Sequence, residues 1–170
     1  LLSIFFFFFI FIMNVSAEDN PFLKPHGTPY NAPPFDKIKV EHYLPAFKEG
    51  IKQQEQIIER IVSEKSIPDF SNTIVELENS DILLSEVGGV FFNMRSANTS
   101  EELQSVAKEI APLLSRHNDN ILLNKRLFDK VKYVYENKEP LNTEQAKLLK
   151  DIYDRFIKGG AGLDDVKQAR

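Results

Sequence analysis

The spacing of apolar residues constrains the fold of this chain more than any other property of its sequence. From Glu41 onward they recur every three or four positions in four or five segments, and no segment sustains the apolar–polar alternation of a strand. A 3.6-residue period gathers such residues on one side of a helix. The chain is therefore predicted to be all-α.

The first segment starts near Glu41, with Pro45 in its opening turns, and aligns Leu44, Phe47, Ile51, Ile58 and Ile61. A second starts near Thr73, where Thr73 and Glu76 have capping-box spacing, and runs through Ile74, Leu77, Leu84, Val87 and Phe91. Its interior Gly88-Gly89 lowers helix propensity by roughly 1 kcal/mol per residue and is expected to mark a kink or a close crossing. Thr99 and Glu102 are spaced to open a third helix on Leu103, Val106, Ala107, Ile110, Leu113 and Leu114, bent at Pro112. The polar run His117-Asn118-Asp119-Asn120 is expected to end it. A fourth helix follows on Leu127, Phe128, Val131, Val134 and Tyr135. The last, capped by Asn142 or Thr143, carries Leu148, Leu149, Ile152, Tyr153 and Phe156 and stops at Gly159-Gly160.

Upstream, residues 18–40 read as a Pro-rich extended arm. Five prolines and one glycine fall among the fifteen residues from Asn20 to Pro34, and each proline fixes its own φ and pushes its predecessor toward extended backbone. Phe22, Leu23, Tyr30 and Phe35 make the arm too aromatic for a free tail, so it is expected to lie along a surface. Ahead of it, Leu1 to Met13 reads LLSIFFFFFIFIM, without a charge, followed by Asn14-Val15-Ser16-Ala17. This is the pattern of a signal peptide over residues 1–17, lacking its basic n-region, with cleavage between Ala17 and Glu18. The run is shorter than the roughly 20 residues needed to span a bilayer, which leaves an uncleaved anchor as the alternative. Export to a periplasmic or secreted location is expected, with no membrane association after cleavage. At the other end, Leu163-Asp164 reads as the start of a helix with no terminator, so the helical domain at 41–170 is expected to be truncated there.

Charge and motif content exclude several chemistries. Twenty-one basic residues against 25 acidic give a net charge of −4, unsuited to a dedicated nucleic-acid binder. With no Cys, no disulfide framework, thiol nucleophile or thiolate metal site can be built. Neither H-E-x-x-H, G-x-S-x-G, G-x-x-x-x-G-K-[ST] nor G-x-G-x-x-G occurs. The three histidines, His26 in the arm, His42 at a helix start and His117 at a helix end, have unrelated contexts and read as surface or capping residues. The pairs Glu101-Glu102 and Asp164-Asp165 sit where helices begin, a placement favoured by the helix dipole alone. Gly159-Gly160-Ala161-Gly162 follows a helix, the wrong polarity for holding a phosphate, and reads as a helix stop. Phe91 to Thr99 is expected to be a buried helix end and turn, with a contact to a further domain as the alternative. No catalytic, cofactor-binding or metal-ligating residue is assigned.

Three phrases nonetheless carry a family likeness: NPFLKPHGTPYNAPPFDKIKVEHYLPAFKEGI at Asn20 to Ile51, FSNTIVELENS at Phe70 to Ser80, and VFFNMRSANTSEELQSVAKEIAPLLSRHNDNILLNKRLFDKV at Val90 to Val131. In order and spacing, the stretch from Asn20 to Gly162 resembles the N-terminal region of the thimet-oligopeptidase family of zinc metallopeptidases, in its peptidyl-dipeptidase and oligopeptidase A branch. The resemblance implies a much longer, almost wholly helical peptidase with two lobes flanking a channel that admits short peptides. Its zinc would be held by H-E-x-x-H and a downstream Glu, all outside this chain. The chain would then be the non-catalytic N-terminal part of an exported peptidase that releases C-terminal dipeptides, binding no zinc itself, its partners being short peptide substrates and the catalytic remainder of the same polypeptide. A freestanding helical binding module is the alternative.

Overall fold

The computed structural model describes residues 19–137 and 140–162, and within them the fold is all-α. The expected signal peptide at 1–17, the helix start at Leu163-Asp164 and the pair Asp164-Asp165 lie outside the described residues. Five helices carry the fold: α1 (Val40–Ser63), α2 (Ile82–Ala97), α3 (Glu101–Leu122), α4 (Lys125–Glu136) and α5 (Thr143–Lys158). No strand occurs among the described residues. No helix there is long and apolar enough to cross a membrane.

α1 is the spine. His42 caps its start, the imidazole Nδ1 accepting the Lys39 N–H at 3.0 Å. Tyr43, Ala46, Phe47, Gly50, Gln54, Ile58 and Ile61 form its buried face. Because α1 is 24 residues long, the other elements cover it in two groups. Around its N-terminal half, Phe22, Val87, Val90, Phe91, Leu103 and Ile110 pack against Tyr43, Ala46 and Phe47, with Phe47 and Phe91 edge to face at 5.6 Å. Around its C-terminal half, Ile74, Leu77, Phe128, Val131, Ile152 and Phe156 pack against Ile58 and Ile61. α3 runs alongside from the first cluster to the second, placing Leu103 and Ile110 in one and Ile121 and Leu122 against the other.

The run leading into α2 is less regular than its apolar spacing suggests. Its cap is the reciprocal pair Asp69 and Asn72, not Thr73 and Glu76: each backbone N–H donates to the other's side-chain oxygen, at 2.7 and 2.9 Å. Asp and Asn out-compete Thr as caps, and Pro68 keeps Ser-Ile upstream from extending the helix. A π-helical turn at Phe70–Val75, one α turn at Glu76–Glu78 and a 3₁₀ turn at Asn79–Asp81 then precede α2, so the irregularity lies there. Gly88-Gly89 do not mark the close crossing. A β-carbon at Gly89 would meet nothing within 4 Å, and one at Gly88 would make ordinary contacts with Phe92 and Phe47. The close crossing is at Gly50, where a β-carbon would stand 3.1 Å from the Leu84 backbone.

Two further expectations at helix ends are corrected. Ser100, one residue beyond Thr99, caps α3, its hydroxyl accepting the Leu103 N–H at 3.2 Å. α3 also continues through Pro112 and through His117-Asn118-Asp119-Asn120 to Leu122, because His117 faces inward on the same stripe as Leu103 and Ile110 while the three polar residues after it point to solvent. Asn142 caps α5 with Gln145 in a reciprocal pair. α5 stops as expected: Gly160 takes φ +94°, and Ala161 and Gly160 donate back to the carbonyls of Phe156 and Ile157. Gly159 is needed for a different reason, since a β-carbon there would meet Leu122 at 2.8 Å.

The arm folds onto the first cluster over part of its length. Asn20 is fully buried, its amide donating to the His42 carbonyl at 2.8 Å and its oxygen accepting from Phe22 N–H. Phe22 is buried against Tyr43 and Leu23 is half-buried. Tyr30 and Phe35 are exposed, contrary to expectation, because Tyr30 and Asn31 occupy positive φ in a short turn at Pro29–Asn31 that lifts this part of the arm from the surface.

Gly50→Ala tests the crossing. The added methyl improves helix propensity by about 1 kcal/mol, whereas overpacking against backbone costs roughly 1–3 kcal/mol. A net loss of about 1 kcal/mol is expected in urea unfolding; a gain would show that the helices separate freely.

Candidate functional site

The three histidines all prove to be engaged in packing. In the arm, the buried His26 side chain places Nε2 2.5 Å from Glu86 Oε1 of α2. His42 caps α1 as its position suggests, but is buried while doing so. His117, expected as a surface or capping residue at a helix end, is 5 % exposed on the inner face of α3. They lie on three different elements, and each imidazole already serves a local contact.

His117 belongs to a polar chain that runs through the interior from α1 to the segment before α2 and to α3. Gln54 of α1 donates through Nε2 to Ser80 Oγ at 2.9 Å, and Ser80 donates to the Leu77 carbonyl at 2.6 Å. This commits the Gln54 amide nitrogen, so its Oε1, 2.7 Å from His117 Nε2, must accept. Nε2 therefore carries the proton, and Nδ1 is left without a hydrogen bond, 3.6 Å from Glu55 Oε1. Burial holds the His117 imidazole below the ordinary histidine range, against the opposing pull of Glu55. Burial likewise depresses His42. Both are neutral at pH 7.

Other groups flagged by the sequence have structural settings. Glu101-Glu102 occupy the first turn of α3, where Ser100 hydrogen-bonds Glu102 and lowers its carboxyl below the usual range. Phe91 is buried as expected, but the end of α2 is not: Arg95 to Thr99 are exposed, and the Arg95 guanidinium sits 5.8 Å over the half-exposed Phe92 ring. A shallow hollow between the arm, α1 and α2 is lined by Phe22, Leu23, Lys24, Pro25, Glu49, Gln53 and Leu83. It offers one carboxylate and one amine, without a histidine or a second carboxylate to work with them. The inner positions of Gln54 and His117 were detectable in principle. Gln54 lies seven residues after Phe47 and four before Ile58, and His117 seven after Ile110, so both interrupt an apolar stripe.

No family model matches the chain. Individual relatives do. It is 41 % identical to the dipeptidyl carboxypeptidase of Salmonella typhimurium and 40 % identical to that of Escherichia coli, each over 153 residues that make up 89 % of this chain. Oligopeptidase A of Escherichia coli is 28 % identical over 153 residues. The chain belongs to the thimet-oligopeptidase family. These relatives are peptidases by name, and the chain spans about a fifth of their length, 22 % in each case.

The zinc implied by this family does not fit the residues present here. Among the described residues no three His, Asp or Glu side chains converge. His26, His42 and His117 lie on three different elements, each in a contact of its own.

Two outcomes test the polar chain. Gln54→Leu leaves the His117 N–H and the Ser80 hydroxyl short of partners and should cost about 1–3 kcal/mol in urea unfolding. Because burial depresses His42 and His117, the unfolded chain takes up protons that the folded chain resists. Their contribution is full above about pH 6.5 and is lost as pH falls below it. Unfolding midpoints should therefore drop between pH 7.5 and 5.5, and His117→Gln should flatten that slope; an unchanged slope would contradict the burial argument.

Proposed function

We propose that this chain is the non-catalytic, N-terminal helical part of an exported zinc metallopeptidase that hydrolyses short peptides and releases C-terminal dipeptides. The observation that carries the reading is the 41 % identity to a dipeptidyl carboxypeptidase across 89 % of the chain. In this reading the helices supply part of the wall of a substrate channel, limiting entry to short, unfolded peptides. Zinc and its ligands belong to the remainder of the same polypeptide, and the apolar run at Leu1 to Met13 directs the protein to a periplasmic or secreted location. A supporting role agrees with the hydrogen bonds by which Asn20, Gln54, Ser80 and His117 tie separate elements of this chain together.

The test uses the native full-length protein beside residues 18–170. The full-length protein should release the C-terminal dipeptide from a blocked tripeptide, lose activity to a chelator and regain it with zinc, while residues 18–170 with zinc should give no turnover. Zinc-dependent cleavage by residues 18–170 alone would overturn the non-catalytic role. A native protein whose measured mass ends at Arg170 would favour a freestanding binding module.

A further inference from the structure

α2 carries a surface that the folded chain does not use. Among its 16 residues only Glu86 and Arg95 are charged, and its apolar residues are distributed around the whole circumference. A helix apolar on all sides is ordinarily buried on all sides. Here Val87, Val90 and Phe91 are buried, while the opposite side, carrying Ile82, Ser85, Gly89, Phe92 and Ser96, faces outward. Ile82 is 65 % exposed and Phe92 46 %.

The outward sides of the other helices are built differently. Lys52 and Glu49 pair on α1, Lys132 and Glu136 on α4, and Lys147–Asp151 and Lys150–Asp154 on α5. Such charges suit a helix to water, and the α2 face has none at its centre. Its two charged residues lie at the edges: Glu86 against His26 of the arm, and Arg95 over the Phe92 ring. The uncharged centre is made of Ile82, Phe92, Gly89, two serines and Asn93, whose amide is turned back onto the Gly89 carbonyl, and a core depleted of charge with a charged rim is the anatomy of a packing interface. Gly89 points the same way. A mid-helix glycine costs about 1 kcal/mol relative to alanine, and no group within 4 Å of its missing β-carbon requires it.

We infer that the outward face of α2, from Ile82 through Gly89 and Phe92 to Ser96, is covered by an apolar helix from the remainder of the same polypeptide. The inference rests on the reading of this chain as part of a longer peptidase and adds the surface through which the parts join. The occupant follows from length: the relatives extend this chain's matched segment more than fourfold, since it makes up 22 % of each. Gly89 and the serines beside it would let that helix approach closely, with Ile82 and Phe92 closing over its flanks.

Single cysteines placed here, in a stretch that has none of its own, are followed in the full-length protein by maleimide labelling and peptide mass spectrometry, which reads each labelled site separately. Ser85→Cys and Ser96→Cys probe the face with nearly isosteric changes, and Ser105→Cys on the exposed side of α3 is the control. Both face cysteines should react at least about tenfold more slowly than the control, at every protein concentration. Equal rates would overturn the inference. So would protection that disappears on dilution, which would make a second copy the occupant. Hydrolysis of the blocked tripeptide, measured on the same variants, separates this result from the functional reading: reactive cysteines in an active peptidase remove the interface alone, and protected cysteines in an inactive protein support the interface while removing the peptidase.

Discussion

The fold depends on the contact between α1 and Leu84 at Gly50. A 24-residue helix is too long to be covered by one compact cluster, and this chain covers it with two, one on each half. Where they meet, the missing side chain of Gly50 lets the first turn of α2 lie directly on α1. Four residues further along, Gln54 ties α1 at once to Ser80, just before α2, and to His117 near the end of α3. Backbone contact and polar chain thus fix the angular position of three helices about the same turn of α1. An apolar residue at position 54 could fill the space without specifying which neighbours it faced; the amide, with one donor and one acceptor direction in use, specifies both.

The same hydrogen bonds set what the interior polar residues contribute to the fold. Here Gln54, Ser80 and His117 exhaust most of their hydrogen-bonding capacity on one another and on the Leu77 carbonyl. His26 and Asn20 do comparable work for the arm, joining it to α2 and to the first turn of α1. Family membership assigns this chain to a peptidase lineage, and these polar contacts join its elements.

Much of the fold was legible because its driving force is periodic. The stripes of α1, α4 and α5 recur at helical spacing, and the stop at Gly159-Gly160 rests on local backbone chemistry that a sequence states openly. What could not be read depends on partners distant in sequence. Nothing near Gly50 signals that Leu84 will press against it, so the adjacent pair Gly88-Gly89 looked the stronger crossing. His117 looked like the end of a helix because three polar residues follow it, yet the residues that bury it lie on α1, 63 positions away in the case of Gln54. Tyr30 and Phe35 looked adhesive by composition, and a turn at positive φ turned them outward. No catalytic residue could be named from the sequence for a simpler reason, since none of the hydrolytic or phosphate-binding motifs occurs in it.

His26, His42 and His117 each join elements of this fold, and we propose that none of them binds metal in the full-length protein. The most direct measurement is the zinc content of the full-length protein carrying His26→Gln, His42→Gln or His117→Gln, determined by elemental analysis on folded material. The zinc-to-protein ratio is expected to equal that of the unsubstituted protein, with a lowered unfolding midpoint in each variant. Loss of zinc in any one of them, with the fold intact, would contradict it.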